Sequence, residues 1–504
     1  MNHPTLKPLV LFLLGALAVF GFAPYYLFPV SIISLAGLFY FLEKSNTPKT
    51  AFWSGFQYGL GLFVFGIYWI YISLHDFGGM PWWFAGFATL CLCAFMALFI
   101  GLVGWLSKKL GYTILSVPVL WGLSDWTRSW IFTGFPWLTM GYSQVPHSPL
   151  AGFMPIIGVY GVSVLTVLLA ALLGLCFIRS KDRLLVRNAI AGITLLLVSG
   201  GLLKAIEWTQ TVGKPVSVAL IQGNIAQDLK WSPDIAQSTI DQYLSMIKAS
   251  NAQLIVLPET ALPIIYTALT PDEKATIVAQ AKRNQGDIII GMIEQEAPKN
   301  DTEAGDYYNS ALSFNETGVQ TYRKNHLVPF GEFIPLKQIF GWIYRDFLNM
   351  PLSDISRGGK FQAPIQIANQ HKIGMNVCYE DVFGEEIIRQ LPQATLLVNI
   401  SNDAWYGNSF AADQHMQFSQ ARALETGRVM LRATNTGATA AIDQHGEVFG
   451  QVPHFSQTTL NTSAQNFTGS TPYVRWGNWP FIIFSFGAIF AIILKKKVWL
   501  KSSR

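Results

Sequence analysis

Long apolar runs separated by short connections constrain this chain more than any other feature, because crossing the hydrocarbon of a bilayer as a helix takes about 20 apolar residues. Such runs occupy residues 9–22 and 27–42, divided by the breaker Ala23-Pro24, then 52–74, 82–106, 112–132, 155–178 and 189–206; a last one covers 479–494. They predict an N-terminal block of about seven transmembrane helices and one more near the C-terminus, roughly eight spans in all. Composition agrees. Hydrophobic residues make up 51% and charged residues 13% of the 504-residue chain, too few charges to cover a soluble protein of this length.

The connections give a direction to the spans. Lys7, then Lys44 and Lys49, then Lys108 and Lys109, then Arg179, Lys181, Arg183 and Arg187, and finally Lys495, Lys496 and Lys497 fall on alternate connections, with Arg128 the exception. Basic residues stay on the cytoplasmic side, so both termini are expected there and the long segment 208–478 on the other side. Lys7 and Ala16-Leu17-Ala18 also fit a cleaved leader, but the second apolar run that follows at once and the regular alternation favour a retained anchor. The net charge of +5 lies beside the apolar runs, which argues against a nucleic-acid partner.

Segment 208–478 reads differently. Short β-branched and aliphatic runs at 216–221, 254–257, 287–292, 310–314, 319–322, 373–377, 395–400 and 439–443 predict strands. Helical stretches at 234–250, 272–284, 382–390 and 413–428 lie between several of them, the alternation of an α/β layered domain with buried sheets. The expected organisation is a membrane bundle at 1–207, an α/β domain at 208–478, and a last span with a basic tail at 479–504.

Of the four cysteines, Cys91, Cys93 and Cys176 sit in apolar runs and only Cys378 does not. An isolated cysteine is most often inert core. Here, however, Glu259, Lys324 and Cys378 each directly follow a predicted strand, and ligands gather at the carboxyl ends of strands in open α/β sheets. A thiol becomes an effective nucleophile when a base takes its proton or a positive field stabilises the thiolate. Glu259 suits the first task and Lys324 the second. A helix starting after Cys378 would add N–H groups and partial positive charge there. Singly, each residue has an ordinary alternative: a solvated strand end, part of the polar patch Arg323-Lys-Asn-His326, or core.

The flanking residues make the pattern specific. Leu257-Pro-Glu-Thr260, Tyr322-Arg-Lys-Asn-His-Leu-Val-Pro-Phe-Gly-Glu332 and Asn376-Val-Cys-Tyr-Glu380 resemble the carbon-nitrogen hydrolase, or nitrilase, superfamily. Gln222-Gly-Asn-Ile225, Asn399-Ile-Ser-Asn-Asp-Ala-Trp-Tyr-Gly407 and Arg432-Ala-Thr-Asn-Thr-Gly437 resemble its strand-end segments. Flanked by apolar runs on both sides, the domain resembles the apolipoprotein N-acyltransferase family. The resemblance implies a nitrilase-like α-β-β-α sandwich and a ping-pong reaction in which Cys378 takes an acyl chain from a phospholipid as a thioester and passes it to the α-amine of a diacylglyceryl-cysteine. It implies Glu259 as general base, Lys324 as oxyanion stabiliser, and Glu332, Trp231, Tyr379 and Glu380 as supporting or pocket residues. It further implies the bacterial inner membrane with a periplasmic catalytic domain, no cofactor, no metal, and a monomer whose partners are the phospholipid donor and the lipoprotein acceptor.

Residues Leu336, Ile339, Phe340, Ile343 and Phe347 recur at helical spacing with Lys337 and Arg345 off that stripe, which predicts an amphipathic helix, either an interfacial arm in the outer leaflet or a helix packed on the core. The competing functions are a membrane-tethered amidase using the same three residues on a small soluble amide, a Cys-His peptidase with His326, His371 or His415 as base, and a transporter or scaffold. No flanking motif supports the peptidase, few charges interrupt the spans as a transport path requires, and no His-Glu-x-x-His pattern supports metal catalysis.

Overall fold

A computed structural model describes residues 6–297, 305–338, 341–342, 354–367 and 371–502. The chain divides into two compact units, one of Met1–Tyr71, Trp82–Glu207 and Arg475–Arg504, the other of Ile72–Pro81 and Trp208–Val474.

The first unit is helical: α1 (Leu6–Ala18), α2 (Phe28–Glu43), α3 (Pro48–Gly66), α4 (Trp82–Leu110), α5 (Thr113–Arg128), α6 (Met154–Ile178), α7 (Arg183–Lys204) and a C-terminal helix, Trp479–Ser502. Small residues let α1 and α3 approach: a methyl group at Gly15 would strike the carbonyl oxygen of Tyr58, and one at Gly61 that of Phe12. Among the described residues, three helices suffice by length and hydropathy to cross a bilayer, namely α4, Pro149–Ile178 and α7. A fourth span results if α3 is joined to Trp69–Phe77 across a 50° bend, while Leu6–Gly21 and α2 are apolar but shorter. The fifth run of the sequence is interrupted. Its helix ends at Arg128, whose guanidinium is buried on Asp125 at 2.6 Å and donates to the carbonyl of Trp137 at 2.8 Å. Arg128, the exception to the charge alternation, is thus an internal ion-pair partner.

The second unit is an α-β-β-α sandwich. One six-stranded sheet has the order β12-β1-β2-β3-β4-β5 and the other β11-β10-β9-β8-β7-β6, with β1 at Thr209–Gln222, β2 at Leu254–Val256, β3 at Asp287–Gln295, β4 at Tyr307–Asn315, β5 at Gly318–Arg323, β6 at Ile365–Gln366, β7 at Lys372–Val377, β8 at Leu396–Ser401, β9 at Met430–Thr434, β10 at Ala440–Ile442, β11 at Val448–Gln451 and β12 at Thr458–Gly469. The two-residue period of a strand decides the layers. Val216, Val218 and Leu220 of β1 face Met375, Val377, Val398 and Leu431 of the other sheet, whereas Ala219 and Ile221 point outward to α8 (Pro233–Ala249) and α9 (Pro271–Arg283). On the opposite face α10 (Ala411–Thr426) lays Ala412, Met416 and Ala423 against Leu397, Met430 and Ala440. β1, β2 and β3 run parallel, as do β7, β8 and β9, so their carboxyl ends collect at one edge of each sheet.

One sequence expectation is corrected here. The helix expected over 382–390 is replaced by a 3-10 turn, Cys378–Val382, a single helical turn, Gly384–Ile387, and another 3-10 turn, Ile388–Gln390. Gly384 has Tyr473 and the buried Arg422–Glu425 pair close over its Cα, leaving no room for a side chain on a continuous helix. The amphipathic stretch 336–347 falls largely on residues 339–340 and 343–353, outside the described residues.

Candidate active site

Three strand ends supply three reactive groups. Glu259 stands on the turn after β2, and Gly291 of β3 allows that turn to lie against the sheet, since a methyl group there would meet the carbonyl oxygen of Pro258 and the Cα of Glu259. Lys324 directly follows β5; its N–H donates to the carbonyl of Asn309 at 2.8 Å, which continues the β4–β5 ladder by one residue. Cys378 directly follows β7 with φ +52°, a left-handed conformation unusual for a side-chain-bearing residue and a place where backbone strain is held by its surroundings.

The side chains converge. Lys324 Nζ donates to Glu259 Oε1 at 3.1 Å and to Glu332 Oε1 at 3.0 Å. The Asn309 amide bridges the same two oxygens at 2.7 and 2.8 Å. The second oxygen of Glu259 accepts from the Asn402 N–H at 3.0 Å, and that of Glu332 from the Val328 N–H at 2.8 Å. Lys324 is 1% exposed, Glu259 6% and Cys378 9%, so all three residues are buried.

Burial makes the electrostatics strong. Burial pushes the Glu259 carboxyl up, but the Lys324 ammonium and the Asn309 amide outweigh it and hold the group below the ordinary carboxylate range. Burial likewise pushes Lys324 down, and the Glu259 and Glu332 charges reverse this, leaving it well above an ordinary lysine. Cys378 goes the other way: burial first and the Glu259 charge second push its thiol well up, against the pull of Lys324. At rest this is a carboxylate, an ammonium and a protonated thiol, so a base must remove the thiol proton as substrate binds. The single 3-10 turn after Cys378 supplies far less dipole than the expected helix.

The apolipoprotein N-acyltransferase N-terminal domain matches residues 14–172 and the carbon-nitrogen hydrolase family residues 217–473. An apolipoprotein N-acyltransferase of Nitrosomonas europaea is 49% identical over 472 residues, 93% of each chain. Those of Chromobacterium violaceum, 42% identical over 96% of this chain and 92% of that one, and Methylococcus capsulatus, 39% identical over 93% and 92%, follow. This chain belongs to the apolipoprotein N-acyltransferase family. Among solved structures, a glutamine-dependent NAD(+) synthetase from Cytophaga hutchinsonii has a TM-score of 0.32 at 13% identity, covering 50% of this chain and 43% of that one.

In this apolipoprotein N-acyltransferase family member, Glu332, Tyr379 and Glu380, three of the four further residues named from sequence, lie at the strand ends that carry Lys324 and Cys378. Glu332 touches Lys324 directly. Glu380 is buried and joins two of the strand ends: Oε2 accepts from the Val377 N–H at 2.8 Å and the Tyr322 hydroxyl at 3.0 Å, and Oε1 from the N–H groups of Asn325 at 2.7 Å and His326 at 3.1 Å. Burial nevertheless pushes its carboxyl up to about 7. Tyr379 is buried edge-on to Phe383, with ring centroids 5.2 Å apart. Trp231, half-buried, packs with Phe333 on Ile293, Leu327 and Ile355.

Other participants carried no sequence signal strong enough to single them out. Asn309 lies inside β4, where it reads as one polar residue in an alternating strand. Lys230, 2% exposed, donates to the carbonyl of Glu259 at 3.2 Å and to Thr260 Oγ1 at 2.7 Å, clamping a turn in which Thr260 has φ +44°. Burial pushes this lysine down to about 8. His415, weighed as a peptidase base, has both ring nitrogens committed: Nδ1 lies 2.7 Å from Asp403 Oδ1 and Nε2 2.9 Å from Asp381 Oδ1. It is no acceptor for the thiol proton. Among the described residues no group of three or more metal-ligating side chains is assembled.

Proposed function

We propose that this protein transfers a fatty acyl chain from a phospholipid to the N-terminal α-amine of a diacylglyceryl-cysteine on an apolipoprotein, with Cys378 as the covalent carrier. The observation that carries the reading is the contact of Lys324 with both Glu259 and Glu332 within electrostatic reach of the buried Cys378 thiol, in a chain aligned nearly end to end with apolipoprotein N-acyltransferases.

In the first half, Glu259 takes the thiol proton and the sulfur attacks the sn-1 ester carbonyl. The developing oxyanion is met by Lys324. Collapse breaks the ester C–O bond, and the departing alkoxide recovers the proton from Glu259 and leaves as a lysophospholipid. In the second half, the uncharged amine attacks the thioester, Glu259 accepts its proton, the C–S bond breaks and the sulfur regains a proton, giving an amide and the free thiol. Glu332 and Asn309 fix Lys324 and Glu259 relative to each other. An amine with a pKa near 8 outcompetes water at a thioester where water is scarce, which favours transfer over the hydrolysis of a membrane-tethered amidase.

Residues 1–207 form a bundle of about seven transmembrane helices, 208–478 the catalytic domain, and 479–504 the last span and basic tail, for roughly eight spans. The alternation of basic connections supports cytoplasmic termini and a periplasmic catalytic domain in a bacterial inner membrane, with the enzyme acting as a monomer. Both substrates are anchored in that bilayer, which raises their effective concentration at the site. Mass spectrometry of the purified protein after incubation with phospholipid tests the reading. An acyl mass on the Cys378 peptide, removed by hydroxylamine, lost in Cys378→Ala and transferred to a lipopeptide amine, is the expected result. Hydrolysis of a small soluble amide with no acyl mass taken from phospholipid would give the amidase.

A further inference from the structure

A second buried group of charges lies behind the nucleophile. Arg432 of β9 donates from one guanidinium nitrogen to Asp381 Oδ2 at 3.0 Å and Asn399 Oδ1 at 2.8 Å, and from the other to Asp403 Oδ2 at 2.8 Å. His415 of α10 lies between the remaining oxygens of the same two aspartates, and Ser401 and Ser419 donate to them at 3.1 and 2.6 Å. All four charged side chains are nearly inaccessible, at 0–2% exposure. Since both ring nitrogens of His415 face carboxylate oxygens, both must donate, and the ring is an imidazolium. Burial and Arg432 push it down, and the two aspartates push it up to about 9. The group therefore holds two negative and two positive charges.

This balanced group touches the nucleophile's own peptide. His415 Nε2 lies 3.1 Å from the Cys378 carbonyl oxygen, and the Asn399 amide donates to the same oxygen at 3.2 Å. Two donors from different elements thus hold the carbonyl of the one left-handed residue on which the chemistry depends. The group also acts on the sulfur through space: the Asp403 charge pushes the thiol up. Around that sulfur the other charged or titratable groups are Glu259, Lys324, Lys230, Tyr379 and Tyr406; beyond Asp403 stands Asp413, 3.5 Å from His454.

We propose that His415 is a positioning residue for Cys378: as an imidazolium at neutral pH it neutralises, with Arg432, the aspartate pair behind the nucleophile, so that the sulfur can become a thiolate, and it anchors the carbonyl of the strained turn that carries the sulfur. The proposal rests on Cys378 being the nucleophile but not on which acyl donor or acceptor it serves. A merely structural role predicts that any disruption of the group is harmful. A charge-balancing role predicts that removing one positive charge is harmful and that removing a negative charge as well restores the titration.

The test is the pH dependence of Cys378 alkylation by iodoacetamide in the full-length, detergent-purified protein, followed by mass spectrometry of the Cys378 peptide so that the other cysteines do not interfere. Between about pH 6.5 and 8, where wild-type His415 is protonated, alkylation rises with the thiolate fraction, and in His415→Gln the group carries one excess negative charge, so the rate profile should move up the pH axis by about one unit, about tenfold slower at each pH. In His415→Gln/Asp403→Asn the charge balances again and the profile should return to that of the wild type. An unmoved profile in His415→Gln, or a double variant no better than the single one, overturns the proposal. If His415→Gln does not fold, the double variant alone decides: a wild-type profile over this range upholds the charge role, and one displaced by about a unit removes it. Alkylation that follows this pattern in a protein that never acquires an acyl mass from phospholipid would sink the assigned reaction and leave the role of His415 standing.

Discussion

Replacing Glu380 by Gln tests whether one carboxylate locks two catalytic strand ends together. The substitution preserves shape but turns one acceptor oxygen into a donor. Placed toward Tyr322, whose hydroxyl can reverse its role, the new NH2 still opposes the Val377 N–H; placed toward Asn325 and His326, it opposes two N–H groups. The first orientation leaves one buried donor without a partner, at about 1–3 kcal/mol. For a unit of this size, about 2 kcal/mol corresponds to a fall of roughly 4–8 °C in melting temperature. Val377 precedes the nucleophile and Asn325 follows Lys324, so loss of the bridge should also slow acyl loading of Cys378 by about tenfold or more. The pH sign follows from burial, which raises this carboxyl to about 7 in the folded protein from about 4.3 unfolded. The folded state holds the proton more tightly, so this contribution to stability is full below about pH 4.3 and is lost as pH rises toward 7. The wild-type advantage over Glu380→Gln should therefore be larger at pH 5 than at pH 8. Scanning fluorimetry in detergent at both pH values, with single-turnover acylation of the Cys378 peptide, reads all three quantities. A melting temperature unchanged to within about 1 °C with normal acylation would refute the idea of a bridge.

Glu259→Gln should lower acyl loading by about 10²–10⁴-fold, as expected for removal of a general base, with little loss of protein. Lys324→Met should instead be unstable by about 3–5 kcal/mol, because it leaves two buried carboxylates without their cation; recovery of folded protein by size exclusion separates the two. Gly291→Ala should impair both folding and acylation, since the added methyl displaces the turn carrying Glu259, and wild-type activity in this variant would mean that the turn is pliable. The Glu259–Lys324 pair should keep its contribution across the middle of the pH range. Glu259 is held low, so its contribution is present above its unfolded value and fails as pH falls through the depressed one; Lys324 is held high, so its own persists below its unfolded value and fails only as pH rises past it. A melting temperature whose pH dependence between 6 and 9 is altered by Glu259→Gln would contradict this.

Much of the catalytic unit was legible because apolar alternation and motif agree. Val216–Ile221 and Ile373–Val377 read as strands from their β-branched and aliphatic residues, and Glu259, Lys324 and Cys378 each fell directly after a predicted strand. What escaped reading had physical causes. β12 is mostly polar, with Leu460, Ala464 and Phe467 too widely spaced to mark a strand, and its place at the sheet edge is set by its pairing with β1. β6 is two residues long, and β9 mixes Met430 and Leu431 with Arg432, whose charge reads as surface until two buried aspartates are seen to receive it. Asn309, Lys230 and His415 owe their roles to neighbours 50, 29 and 37 residues distant in the chain, and no periodicity encodes such meetings. Conversely, the acidic start and apolar spacing of 382–390 promised a helix that the crowding over Gly384 forbids.

The catalytic unit is not one continuous stretch of chain. Residues Ile72–Pro81 belong to it, and there Phe77 meets the ring of Trp405 edge-on at 6.3 Å, next to the turn whose Asp403 and Asn402 hold His415 and Glu259. Cutting the protein at its most obvious border, and producing 208–478 alone, would therefore discard ten residues of that unit and leave bare the face of the turn they cover. A soluble fragment intended for inhibitor screening would need that decapeptide supplied, in trans or by grafting.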